Sequence, residues 1–167
     1  MNILEQAVSK SDGILRILLA LMMTLLVIDV TWQVLTRFIL TQPSSFTEEV
    51  ARFLLIWVSL LGGAYAYREH SHLGFDLLVR KLSQQKARWV FKLCCVLVAV
   101  FAISVLIIGG LNLVYLTWLL GQQSPVLDIP MAWVYIVLPL SGLLFLLYSV
   151  FFFFNAEQQF ITQECIQ

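Results

Sequence analysis

The chain has 167 residues, 60% of them hydrophobic and 12% charged, with a mean hydropathy of +0.90. Soluble domains carry about 45–50% apolar and about 25% charged residues, so a water-soluble globular enzyme and a disordered chain are both excluded. Ten basic and ten acidic residues cancel, which leaves no basic field to hold nucleic acid, and three cysteines in so apolar a chain do not suggest a disulfide scaffold.

The expectation is an all-α integral membrane protein, a single membrane domain over residues 1–167. A helix needs roughly 20 mainly apolar residues to cross a hydrocarbon core of about 30 Å. Four stretches meet that length: residues 14–39, 46–67, 93–120 and 131–154. None alternates apolar and polar residues as a barrel strand does. The first stretch is too long for the apolar region of a cleavable signal peptide, and no small-x-small site follows it. The terminal Glu164-Cys165-Ile166-Gln167 leaves its cysteine one residue short of a prenylation signal.

Within the first stretch, Asp29 lies about 22 Å from Ile14 along the helix axis. A charge at that depth must face protein, a partner or water rather than lipid. It reads either as a coupling-ion or proton site, or as an acid held at a helix–helix contact. Arg37 follows near the outer end. The turn Thr41 to Ser45 is short, and Pro43 cannot continue a helix. Ser45-Phe46-Thr47-Glu48 then reads as a capping box that opens the second span.

Glu48 and Arg52 are four residues apart and Glu49 and Arg52 three, so either acid can pair with the arginine on one helix. With Arg37 they form a polar cluster at the outer edge. It is either a self-neutralising helix start or a polar contact with another membrane protein. After the second span come His70, His72 and Asp76. An HxH with a nearby acid can bind metal, but the ordinary reading is a hydrogen-bonded polar turn. No histidine lies within a span, so no haem ligand is present there.

Residues 73–82, LGFDLLVRKL, place Leu73, Leu77 and Leu78 on one helical face with Asp76, Arg80 and Lys81 off it. This predicts a short amphipathic helix lying in the membrane interface between the second and third spans. Ser83 can cap the next helix, whose first turns carry Lys86, Arg88 and Lys92 with Trp89 as interface anchors. A helix from Gln84 to Leu120 is about 55 Å long, so it must tilt or project. Cys94 and Cys95 read as small hydrophobes. Gly62-Gly63 and Gly109-Gly110 allow close helix approach. The outer loop from Gly121 to Pro130 holds two prolines and is expected to be rigid.

Basic residues fix the orientation. The N-terminal flank and the segment between the second and third spans hold them, while both outer loops hold none. The positive-inside rule therefore puts both termini in the cytoplasm. No phosphate loop, nucleophile–base pair or paired acids emerges, so no enzyme site, cofactor or metal is expected.

Three stretches together carry a resemblance: WQVLTRFIL (Trp32 to Leu40), SFTEEVARFLLIWVSLLGGAYAYREHSHLGFD (Ser45 to Asp76) and SPVLDIPMAWVYIVLP (Ser124 to Pro139). The chain resembles the small membrane subunit, the Q-type or small permease component, of tripartite ATP-independent periplasmic (TRAP) transporters.

That resemblance implies a bacterial inner-membrane secondary transporter of three parts, usually driven by a sodium gradient. A periplasmic substrate-binding protein captures a small organic acid: a C4-dicarboxylate, sialic acid or a sugar acid. A large multi-span subunit carries the acid by an elevator movement, and the small, separate subunit braces it within the lipid bilayer. Glu48, Glu49 and Arg52 match the family's acid-acid-arginine motif, Arg37 its span-one arginine, and His72 and Asp76 its cytoplasmic turn. All six are partner-interface candidates. Ser124, Pro125, Asp128 and Pro130 are candidates for docking the binding protein, whereas Asp29 matches no family signature. Two other readings compete: the membrane anchor of a redox enzyme, and a small autonomous proton-coupled transporter.

Overall fold

The computed structural model describes the backbone of residues 3–39, 45–79 and 84–164, with side chains described at 8, 10–39, 45–69 and 89–154. Helix α1 runs Ile3–Ile39, α2 Ser45–Val79 and α3 Gln84–Phe101. A π-helical segment, Ala102–Gly109, joins α3 to α4 (Gly110–Leu119), and α5 (Met131–Tyr135) leads into α6 (Val137–Glu164). Among the described residues there is no strand, only an isolated backbone bridge between Gln123 and Pro130.

Four helical stretches of the described residues are long and apolar enough to cross a membrane: Lys10–Ile39, Ser45–Glu69, Trp89–Leu119 and Met131–Phe154. They are the four expected from hydropathy, with ends moved by a few residues. The short interfacial helix is not a separate element. Residues 73–79 are the uninterrupted end of α2, because nothing between Tyr67 and Leu73 forbids helical backbone angles and Gly74 is tolerated within a helix.

The helices pair by heptad-like spacing. The inward positions of α1 include Val8, Asp12, Leu15, Leu19, Met22, Leu26, Asp29, Gln33 and Thr36. On α2, Val50, Leu54, Trp57, Leu61, Ala64 and Arg68 repeat at the same interval. A seam of period 3.5 is the one left-handed helix pairs use. Leu15 and Leu61 share a core cluster with Val137, and Leu19 reaches to 3.9 Å of where a Cβ on Gly62 would stand.

Helix α6 is the hub, packed on α3, the π segment and α2, while α1 rests mainly on α2. Its Tyr148 and Phe152 are fully buried with Val8, Ala64, Phe91 and Cys95. Phe152 meets Tyr67 and Phe91 edge-on, at ring separations of 5.5 and 6.4 Å, an arrangement favoured by the ring quadrupoles. Only 6% of the most apolar stretch of the first span is buried within the chain, against 33% for the last. Helix α1 therefore offers most of its surface to lipid or to a partner.

Two glycines set the contact between the last two spans. A Cβ on Gly110 would stand 2.9 Å from Leu138 Cβ and 3.0 Å from Pro139 Cδ; one on Gly142 would stand 2.8 Å from Leu106 Cβ and 2.9 Å from Ile107 Cγ1. Leu106 and Ile107 belong to the π segment, so the wide turn of that segment lies directly on Gly142. Gly109, expected to share the role of Gly110, is exposed and has only its own helix nearby.

Pro139 lacks an N–H and its ring crowds the carbonyl of Tyr135. The helix accordingly breaks at Ile136, between α5 and α6. The indole of Trp57 donates to the carbonyl of Val134 at 3.2 Å, tying this broken turn to α2.

Candidate functional site

Polar side chains gather at the two ends of the bundle, and each end is held by contacts distant in sequence. At the outer end, Glu49 in the first turns of α2 is buried, 6% exposed. Its Oε2 accepts the backbone N–H groups of Val126 at 3.1 Å and Leu127 at 3.0 Å. Two amide donors on one carboxylate oxygen are charge-assisted hydrogen bonds, among the stronger kind. Glu49 is thus engaged within its own chain as the clamp of the outer loop.

The loop is closed by its own backbone as well. Ser124 N–H donates to Ile129 O at 2.9 Å, Asp128 N–H to Ser124 O at 3.2 Å and Met131 N–H to Gln122 O at 2.9 Å. Gly121 has φ +58° and Asp128 φ 53°, the left-handed region that glycine enters freely and Asp more readily than most residues. Of the four docking candidates, Ser124 is 1% exposed and so is no surface contact. Pro125 and Asp128 are exposed, and Pro130 is half-buried at the start of α5.

The other members of the outer cluster separate. Arg52 reaches back one turn to Glu48 at 3.3 Å, with both side chains about two-thirds exposed (66% and 70%). Arg37 is exposed, with no hydrogen bond or ion pair among the described residues. Glu48, Arg52 and Arg37 therefore remain open to a neighbour, and Glu49 does not.

At the opposite end lies a polar knot that sequence reasoning missed. Asp12 on α1 accepts from Arg68 Nε on α2 at 3.3 Å and from the Tyr148 hydroxyl on α6 at 2.8 Å. The Arg68 guanidinium lies over the rings of Phe151 and Phe152, 5.0 and 5.5 Å from their centroids, a cation–π arrangement. Three helices are locked through one carboxylate. The signal available in sequence was an acid, an arginine and a tyrosine each near a span end, but their pairing crosses up to 136 residues. Nearby, Ser149 Oγ donates to the carbonyl of Cys95 at 2.5 Å, joining α6 to α3.

Asp29 lies on the seam of α1, half-buried. Its Oδ2 accepts a long hydrogen bond, 3.5 Å, from the Gln33 amide one turn away. The acid borders a groove of about 650 Å³ between α1 and α2, whose walls include Leu25, Ile28, Trp32, Leu35, Val50 and Leu54. The His72 and Asp76 side chains lie outside the described residues, on the backbone of the last turns of α2.

Residues 26–159 match the family of tripartite ATP-independent periplasmic transporters, DctQ component. The chain belongs to this family. It is a family of transporter components rather than enzymes, and the chain is a multi-pass inner-membrane protein.

Three relatives illustrate the range. The sialic acid TRAP transporter small permease protein SiaQ of Vibrio cholerae is 34% identical over 89 residues, 53% of this chain and 51% of that one. The C4-dicarboxylate TRAP transporter small permease protein DctQ of Rhodobacter capsulatus is 30% identical over 97 residues, 58% of this chain and 42% of its own. The isethionate TRAP transporter permease protein DctMQ of Oleidesulfovibrio alaskensis is 30% identical over 127 residues, 71% of this chain but 20% of that longer protein. The match to SiaQ and DctQ thus spans about half the length of each or less. Neither the redox-anchor reading nor the autonomous-transporter reading draws support from these relatives.

Proposed function

We propose that this chain is the small membrane subunit of a TRAP-type secondary transporter for a small organic acid, and that it braces the scaffold of a large multi-span subunit. The family match over residues 26–159 carries this reading. The fold supports it. The polar knot of Asp12, Arg68 and Tyr148, the Glu49 clamp and the interlocked glycines of the last two spans all favour one rigid arrangement, as a brace requires. The large exposed apolar surface of α1 needs a cover of lipid or protein.

In this reading both termini are cytoplasmic, as the basic flanks indicate. The Asp12 end of the bundle then faces the cytoplasm and the Glu49 end the periplasm. Arg37, Glu48 and Arg52 present a polar rim to the large subunit, and Pro125 and Asp128 lie where a docked periplasmic binding protein can touch them. Relatives named for sialic acid, C4-dicarboxylate and isethionate, all organic anions, support an organic acid as the solute; a sodium gradient as the driving force is part of the same proposal.

The reading is tested by uptake of the radiolabelled acid in cells that hold the large subunit and the binding protein, with and without this chain. Uptake that depends on all three components supports it. Uptake that persists when this chain is deleted, or that this chain supports alone, contradicts it.

A further inference from the structure

We infer that the open groove between α1 and α2 seats a transmembrane helix of the large subunit, and that Asp29 accepts a hydrogen bond from a basic or amide side chain on that helix. The inference rests on the small-subunit reading and adds to it a contact and a chemistry.

Four observations converge. The acid lies ten residues before the end of the first span, about 15 Å along the axis, well inside its apolar stretch. A carboxylate has room for about four donors, and among the described residues Asp29 has one, the Gln33 amide at 3.5 Å. The α2 side of the groove offers no donor, since Val50 and Leu54 face it there. The α1 wall includes Leu25, Ile28, Trp32 and Leu35, 49–60% exposed, beside Val27 and Thr31.

Those four wall residues repeat at intervals of three, four and three. This is the spacing with which one helix packs on another, and α1 uses it already on its α2 side. The groove therefore has the form of a second helix seam, with a hydrogen-bond acceptor at its centre. Lipid tails fill apolar walls but bring no donor to a carboxylate, whereas interhelical hydrogen bonds of this kind join membrane helices. The DctMQ relative carries a segment similar to this chain within a polypeptide of which that segment is 20%. That arrangement keeps such a segment beside other parts of a permease.

The test uses the full chain co-expressed with its large subunit in native membranes. A photo-cross-linking residue replaces Leu25, Ile28 or Leu35 in turn, with Leu97 and Leu143, exposed outside the groove, as comparison positions. Adducts with the large subunit are expected from the three groove positions. In the second arm, Asp29→Leu is expected to lower the large subunit retained in detergent about threefold to tenfold, the worth of an interhelical hydrogen bond. Asp29→Asn, which keeps an acceptor, is expected to lower it less, and the isolated Asp29→Leu chain is expected to melt no lower than wild type.

Three results overturn the inference: groove positions that give lipid adducts only while the wild-type complex is intact, unchanged retention in Asp29→Leu, or a lowered melting temperature of the isolated Asp29→Leu chain, which would assign the acid a role inside this chain. Failure of the wild-type chain to retain any large subunit is a different outcome. It overturns the small-subunit reading itself, and this contact with it.

Discussion

The carboxylate of Glu49 accepts the backbone N–H of Leu127 at 3.0 Å, across 78 residues of sequence. This bond and its neighbour at Val126 convert the outer loop from a tether between the last two spans into a fixed surface beside the start of α2. Under the proposed function, a binding protein docking there would meet a preformed shape, so little ordering would be required.

Replacing Glu49 by Ala leaves the partly buried amides of Val126 and Leu127 without their acceptor, at a cost of about 1 kcal/mol, since water can reach them in part. Glu49→Gln keeps an acceptor oxygen but loses the charge, so its cost is smaller. Hydrogen exchange at Val126 and Leu127 reads the effect directly. Both amides are expected to exchange faster in Glu49→Ala, with Gln intermediate. Equal protection in wild type and Glu49→Ala would remove the clamp from the account.

The neighbouring pair behaves differently. Glu48 and Arg52 are mostly exposed, and exposed ion pairs contribute little to folding. Arg52→Ala is expected to leave the melting temperature of the isolated chain near wild type. It is expected to reduce the amount of large subunit recovered with the chain, and uptake with it. Unchanged assembly and unchanged uptake in both Arg52→Ala and Glu48→Ala would show that this rim touches no partner.

At the other end, Tyr148→Phe removes the hydroxyl bond to Asp12 and is expected to cost about 0.5–1.5 kcal/mol. Asp12→Asn weakens both that bond and the one from Arg68. A double-mutant cycle between Asp12 and Arg68, read by thermal unfolding in detergent, is expected to give a clear coupling energy, because the two residues share one network. Additive effects would mean that the Asp12–Arg68 contact contributes nothing to holding α1 on α2.

Glycine substitutions test the last two spans. Gly142→Ala and Gly110→Ala each drive a methyl group into neighbouring atoms, with Leu106 and Ile107 against the first and Leu138 and Pro139 against the second. Overpacking of this kind costs about 1–3 kcal/mol. Gly62→Ala meets only ordinary contact at 3.9 Å, and its melting temperature is expected to stay near wild type. Three variants of equal stability would contradict the close approach.

The four spans were legible because hydropathy over a bilayer thickness needs no knowledge of partners. The motif acids were also legible, but their division of labour was not. Glu48 and Glu49 are adjacent and chemically alike, and only the path of a loop 77 residues away decides which is buried. Gly110 was singled out correctly as a close-contact glycine. Gly142 was missed because it stands alone in an apolar run and its partner, the π-helical turn at 102–109, leaves no trace in the hydrophobic pattern. The inner knot escaped for a similar reason: nothing in the sequence links Asp12 to Arg68, 56 residues away, until the helices align them. The amphipathic face at 73–79 marked a helix correctly, but periodicity does not reveal whether that helix is separate from the one before it.

The most direct measurement is purification of the tagged chain from its native membrane in mild detergent, followed by mass spectrometry of the intact assembly. The account predicts a complex with a large multi-span TRAP permease subunit in fixed ratio. Recovery of the chain alone as a defined oligomer, or with a haem- or flavin-bearing partner, would contradict it.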